Sequence, residues 1–161
     1  MTTAFVALGA NLDDPKSQVL QALEELDRIP GSRVVSRSSL YRTAPVGYLD
    51  QPAFINAVAH LDTTLEARPL LDALHQLENR HGRRRTVPNA PRTLDLDLLL
   101  YADRVTNEEG LTLPHPRLHE RAFVLAPLAE IAPDAIVPGQ GRVGDLLDRI
   151  DCSGVELIDG G

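Results

Sequence analysis

The sequence predicts an α+β fold, and three observations carry that prediction. Three stretches, TAFVALG at 3–9, AFINAVAHLD at 53–62 and LDLDLLLY at 94–101, alternate their side chains with the period of two expected of a strand. Two longer stretches, one following Asp14 and one following Leu65, space their apolar residues three and four apart, as a helix does. Proline and glycine gather between these stretches, at Pro30-Gly31, in 43–52 and in 83–91.

Each element follows in order. The first strand ends in the turn-like Gly9-Ala10-Asn11. Asp14 is suited to cap a helix and Pro15 to open it. Val19, Leu23 and Leu26, flanked by Leu20 and Ile29, carry that helix to Pro30-Gly31. RVVSRSSLYR, 33–42, is rich in β-branched and hydroxyl residues and is expected to be the second strand. TAPVGYLDQP, 43–52, is a loop. The third strand puts Ile55, Ala57, Ala59 and Leu61 on one face and Phe54, Asn56, Val58 and His60 on the other. A second helix starts between Leu65 and Pro69 and runs to His81, with Leu70, Leu74 and Leu77 inward and Gly82 as its stop. RRRTVPNAP, 83–91, has no periodicity and reads as a surface loop. In the strand that follows, Leu94, Leu96, Leu98 and Leu100 share one face; Asp95, Asp97, Leu99 and Tyr101 share the other. A Pro-His-Pro turn, an amphipathic helix near 118–131, a short helix near 142–150 and a polar tail complete the chain. The order β-α-β-β-α-β with helical additions is the split βαβ, ferredoxin-like arrangement, an antiparallel sheet with both helices on one face. With no repeat and no linker, 1–161 is read as one domain.

Composition narrows the class. The 161 residues are 43% hydrophobic and 24% charged, ordinary values for a globular protein. No apolar run approaches membrane-spanning length, and MTTAFVALGANLDD has no basic region of a secretory signal. The lone Cys152 suits a reducing compartment. A soluble, cytoplasmic monomer is expected, without membrane partners. The net charge of −7 argues against nucleic acid. Yet Arg80, Arg83, Arg84, Arg85 and Arg92, with His81, form a stretch free of acidic residues, which suggests a small anionic ligand. Lys16 is the one lysine, so the Gly-x-x-x-x-Gly-Lys loop is absent.

Asp95 and Asp97 lie about 7 Å apart along their strand, where like charges repel and burial is costly without a cation. Paired aspartates on an exposed strand face are often only solvated. Against that, aspartate is depleted in strands, and the outward neighbours Leu99 and Tyr101 are apolar. Two carboxylates on one face suit Mg²⁺, which shares hard oxygen ligands with phosphate, and the nearby arginines suit bidentate phosphate binding. Together they point to a nucleoside triphosphate. Arg92, three residues before Asp95, is the arginine least easily dismissed as part of a solvated loop. His115 is held between Pro114 and Pro116; it is either structural or a phosphate contact. Phe54 and Asn56, outward on the third strand, suit a flat heterocycle, although Phe54 taken alone suits packing.

APRTLDLDLLLY resembles the signature of the 6-hydroxymethyl-7,8-dihydropterin pyrophosphokinase family of the folate pathway. ALGANL, SSLYRTAPVG, QPAFINAV, LENRHGRRR, LTLPHPRLHERAFVLAPLAEIAP and VGDLL follow in that family's order and span nearly the whole chain. The resemblance implies transfer of pyrophosphate from ATP to the pterin's hydroxymethyl group, releasing AMP. It implies that Asp95 and Asp97 hold two Mg²⁺ ions, that Arg83, Arg85 and Arg92 contact phosphates with His115 beside them, and that Glu78, Leu98, Thr112 and Arg121 lie around the nucleotide. By the same resemblance the pterin stacks between Phe54 and Phe123, close to Asp95, with Asn56 and the backbone of Thr43 and Val46 reading its edge. The loops 43–51 and 83–91 would close over both substrates. The chain departs from the family at Asn89-Ala90, where a tryptophan is common, and at Gly110 and Pro116, where a basic residue and an aromatic often stand. The alternative is a ferredoxin-like regulatory module that binds a small molecule without catalysis, for which the Asp-x-Asp pair facing arginines has no use. An RNA binder would want more aromatic residues than 4%.

Overall fold

The structure is a computed structural model in which residues 1–11, 14–43, 53–81 and 94–159 are described. In chain order the elements are β1 (Thr2–Ala10), α1 (Pro15–Leu26), β2 (Ser32–Arg37), β3 (Leu40–Thr43), β4 (Phe54–Thr63), α2 (Ala67–Arg80) and β5 (Asp95–Tyr101). There follow β6 (Thr106–Glu108), β7 (Leu111–Leu113), a 3₁₀ turn at Leu118–Glu120, α3 (Ala122–Ile131), β8 (Ile136–Val137), β9 (Gly141–Arg142), α4 (Val143–Asp148) and β10 (Val155–Asp159). The main sheet runs β10-β3-β4-β1-β5, with β2 also beside β4, and every pair is antiparallel.

The sheet separates two apolar cores. On one face Ala4, Val6, Leu8, Ile55, Ala57, Ala59, Leu61, Leu96 and Leu98 meet Val19, Leu23 and Leu26 of α1 and Leu70, Leu74 and Leu77 of α2. The face assignments read from β4 and from both helices therefore hold. On the other face Phe5, Ala7, Val58, Leu99 and Leu100 meet Val124, Leu125 and Leu128 of α3 and Val143 and Leu146 of α4. Among the described residues no helix is long and apolar enough to cross a membrane.

Four expectations need correction. The strand expected over 33–42 is two strands, because Ser38 and Ser39 interrupt it. Ser38 Oγ accepts the Val58 N–H at 2.9 Å, while Glu130 of α3 accepts from the Ser39 N–H at 3.0 Å, the Ser39 hydroxyl at 2.8 Å and the Tyr41 hydroxyl at 2.6 Å. Side chains thus take over from the ladder at the break.

In β5 the alternation slips. Val6 stands opposite Leu98 but Phe5 opposite Leu100, so Leu99 is an extra residue, a β-bulge. Leu100 consequently joins the α3 side rather than the face of Leu94, Leu96 and Leu98. Tyr101 turns back to the α1–α2 side and its hydroxyl donates to the Leu65 carbonyl at 2.5 Å.

The expected polar tail contains β10, which pairs with the outer edge of β3 and satisfies backbone groups there, with Ile158 packed against the core. Asp14 does precede α1, yet its left-handed backbone (φ 59°) leaves the carboxylate bonded to the Ser17 hydroxyl at 2.9 Å, with no side-chain cap of the backbone. The β6–β7 and β8–β9 hairpins carry no periodicity long enough to read in advance, and Gly82 lies outside the described residues.

Candidate active site

The site lies on the sheet face opposite α1 and α2, beyond the part that α3 and α4 cover. Along β1 that face carries Phe5, Ala7 and Gly9, so side-chain volume falls step by step. Phe5 is flanked by His60 and Leu100, Ala7 by Val58 and Asp97, and Gly9 by Asn56 and Asp95. As the side chains of β1 shrink, their neighbours become polar. A cavity of about 360 Å³ stands over the small, polar end. Its walls are Thr43, Phe54, Asn56, Asp95 and Asp97 from the sheet, with Arg117, Glu120, Arg121 and Phe123 from the segment that leads into α3.

Asn56 has a fixed orientation. The Thr43 hydroxyl donates to its Oδ1 at 2.7 Å, and both residues are buried. The amide nitrogen is thereby turned over Gly9, where an added Cβ would lie 2.9 Å from Nδ2. The close approach of this amide to the cavity floor requires glycine.

The carboxylate pair is held through its backbone. Glu78 of α2 is buried, 1% exposed, and its Oε2 accepts the N–H of Leu96 at 2.7 Å, between Asp95 and Asp97. Glu78 therefore stands beneath the aspartate strand. Leu98 is also in the core, so any meeting with a nucleotide falls to its backbone.

His115 is anchored by the bulge, its N–H donating to the Leu99 carbonyl at 2.9 Å. Its Nδ1 accepts the Arg117 N–H at 3.3 Å, and its Nε2 lies 3.9 Å from Asp97 Oδ1. Burial, and then the Arg121 guanidinium, push its pKa down to about 4; Asp95 pulls the other way and Arg117 adds to the depression. The ring is neutral at pH 7, with its proton on Nε2, toward Asp97.

The cavity thus brings together Thr43, Phe54, Asn56, Asp95, Asp97, Arg121 and Phe123. Thr112 and His115 line an adjoining depression on the Pro114–Pro116 turn. Val46, Arg83, Arg85 and Arg92 lie outside the described residues. Sequence reasoning missed Ala7 and Gly9, although the fall in size from Phe5 was legible, and it missed Arg117 and Glu120, whose helical neighbourhood gave no sign of a cavity.

The site sets two carboxylates and an arginine beside two phenylalanines, with a neutral histidine at its edge, so that one end is charged and the other flat and apolar. Residues 5–133 match the family model of 7,8-dihydro-6-hydroxymethylpterin-pyrophosphokinase (HPPK). A Pseudomonas aeruginosa 2-amino-4-hydroxy-6-hydroxymethyldihydropteridine pyrophosphokinase is 44% identical over 156 residues, 97% of this chain and 96% of that protein. A protein of the same name from Methylorubrum extorquens is 43% identical over 159 residues, 99% of this chain and 100% of that one. The solved Plasmodium falciparum HPPK-DHPS structure superposes with a TM-score of 0.70 at 13% identity, over 92% of this chain. This chain spans 43% of the length of that one, and the likeness bears on the fold alone. The chain belongs to the 7,8-dihydro-6-hydroxymethylpterin-pyrophosphokinase family, the pyrophosphate transferases of folate biosynthesis. A regulatory module without catalysis is not favoured.

Proposed function

We propose that the cavity joins 6-hydroxymethyl-7,8-dihydropterin to the triphosphate of ATP. The pterin hydroxymethyl oxygen attacks the β-phosphorus, the bond from that phosphorus to the α,β-bridging oxygen breaks, and AMP leaves. The observation that carries this reading is the sharing of one cavity by Phe54, Phe123 and an oriented Asn56 amide with the carboxylates of Asp95 and Asp97.

In this reading Phe54 and Phe123 hold the pterin ring between them, and Asn56, with the backbone of Thr43 and Val46, recognises its edge. Asp95 and Asp97 fit two Mg²⁺ ions: both offer hard carboxylate oxygens beside a floor kept clear by Ala7 and Gly9, and Mg²⁺ fills its remaining positions with water and phosphate oxygens. When bound, the ions would neutralise the triphosphate and lower the pKa of the attacking hydroxyl. Arg83, Arg85, Arg92 and Arg121 grip the phosphates, and the neutral His115 donates its Nε2 proton to a phosphate oxygen. Thr112 and the Leu98 backbone border the nucleotide, while Glu78 steadies the aspartate strand from below. Phosphoryl transfer asks for positioning and charge neutralisation more than for covalent help. The hydroxyl proton passes to solvent or to one of the two aspartates.

The fold in this proposal is ferredoxin-like, supported by the order β3-β4-β1-β5 and by α1 and α2 on one face. Residues 1–161 then form one domain acting as a cytoplasmic monomer; the sheet shared by both cores supports the single domain, and the lone Cys152 is in keeping with the location.

The test is Asp97→Ala. AMP formation from ATP and the pterin should fall on the order of a thousandfold or more, while the thermal melt stays close to that of the parent. Near-normal turnover would sink the metal assignment.

A further inference from the structure

Arg117 and Glu120 enter the cavity from the 3₁₀ turn that precedes α3, and neither has a part in the transfer as described above. Both line the same space as Asp95 and Asp97. Arg117 Nε lies 3.6 Å from Glu120 Oε2, one turn apart, and their side chains are 66% and 56% exposed. An ion pair this open to solvent is weak and exchanges readily. The Arg117 N–H holds His115 Nδ1 at 3.3 Å, so the guanidinium springs from backbone that touches the imidazole beside Asp97. On the same wall the Arg121 guanidinium lies 5.6 Å from the centre of the Phe123 ring. Arg117 is therefore a second described cation on the wall that faces the carboxylates. Its partner Glu120 is a carboxylate that a more highly charged anion can displace.

We infer that Arg117 is a further contact for the phosphates of the nucleotide, and that Glu120 is the counter-ion that holds its guanidinium until the anion arrives. The inference rests on the reading that this cavity takes a triphosphate. A phosphate offers a guanidinium two parallel, charge-assisted hydrogen bonds and more negative charge than one exposed carboxylate, so the exchange favours the phosphate. Arg117 acts alongside Arg121, in the cavity that the aspartates also line.

Calorimetry with Mg²⁺ and a non-hydrolysable ATP analogue, and separately with the pterin, decides the matter. Arg117→Met keeps the stem of the side chain and removes its charge. It should weaken the analogue about tenfold, the loss of one charge-assisted contact, and leave pterin affinity within about twofold. Arg117→Lys should recover part of the loss. Glu120→Gln frees the guanidinium and should tighten the analogue about twofold at low ionic strength, a gain that fades at high salt. Analogue binding that is unchanged in Arg117→Met while the parent binds normally overturns the inference and leaves the proposed function standing. Equal losses for analogue and pterin overturn it too, since they mark a general disturbance of the turn. A parent protein that binds no nucleotide removes the triphosphate reading and this inference with it.

Discussion

The two faces of the sheet are made by the same strands and do opposite work. On the α1–α2 face β1 presents Ala4, Val6 and Leu8, all buried, against leucines from both helices. One residue out of phase, the same strand presents Phe5, Ala7 and Gly9, a series that shrinks toward the cavity. A period of two lets one strand carry stability on one side and chemistry on the other. The first face is closed by volume along its length; the second is closed under α3 and α4 and opens where the side chains of β1 shrink. Substitutions should sort accordingly, into those that lower stability and spare the site, and those that damage the site and spare stability.

The largest effect on stability belongs to the closed face. Leu74→Ala removes a fully buried side chain from the centre of the α1–α2 core. It should cost about 3 kcal/mol, seen as a lower denaturant midpoint at unchanged slope, with the affinity of the remaining folded protein for the pterin preserved. A comparable loss of pterin affinity would break the division between the faces.

A smaller effect belongs to the open face. Gly9→Ala puts a methyl group 2.9 Å from Asn56 Nδ2, and the amide cannot turn away without giving up the Thr43 hydroxyl, 2.7 Å from Oδ1. Losing that hydrogen bond and its orientation is worth about 1 kcal/mol. Pterin affinity should therefore fall roughly five- to tenfold, with stability within about 1 kcal/mol of the parent, since alanine is tolerated in a strand. Unchanged affinity by calorimetry would mean that Asn56 does not read the pterin edge.

Much of this division is legible in the sequence, and the rest is hidden for identifiable reasons. Alternation fixed the faces of β4 in advance, and helical spacing found Leu70, Leu74 and Leu77, because each pattern runs the length of its element without interruption. The same logic misassigned Leu100 and Tyr101, since a bulge at Leu99 adds one residue and reverses the phase, and nothing local in LDLDLLLY marks it. The sequence of β10 reads as tail, because VELID is short and its partner, β3, lies more than a hundred residues earlier. Asp95, Asp97, Asn56 and Phe54 could be singled out because polar or aromatic residues break an otherwise apolar strand pattern. Arg117 and Glu120 could not, because charged residues in a turn are the ordinary case and only the packing of that turn over Gly9 and Asp95 gives them a cavity to line. Glu78 shows the converse: the family resemblance implies a place near the nucleotide, and its burial and its bond to Leu96 add a bracing role that no sequence pattern marks.

The smallest expected effect tests whether the junction between the faces also stores a charge cost. The bulge that reverses β5 turns the Leu99 carbonyl to His115, which fixes the ring where burial and Arg121 push its pKa from 6.5 down to about 4. In the unfolded chain the ring takes up a proton near its ordinary pKa, whereas in the folded chain it does not until about pH 4. Between those values the unfolded state binds more protons, so folding stability falls as pH is lowered from about 6.5 to about 4 and changes no further from this ring below that. At about 1.4 kcal/mol per pH unit the upper bound is about 3 kcal/mol; with a fifth of the side chain exposed to solvent screening, about 1 kcal/mol is expected. Other groups titrate in the same range, so the quantity to measure is the difference in denaturant stability between the parent and His115→Gln at a series of pH values. Relative to the variant, the parent should lose stability on acidification through this window and run parallel to it above about pH 7. A parent that gains relative stability on acidification would show that the Asp95 and Asp97 carboxylates outweigh burial and Arg121, and that His115 meets the phosphates as a cation rather than as a neutral donor.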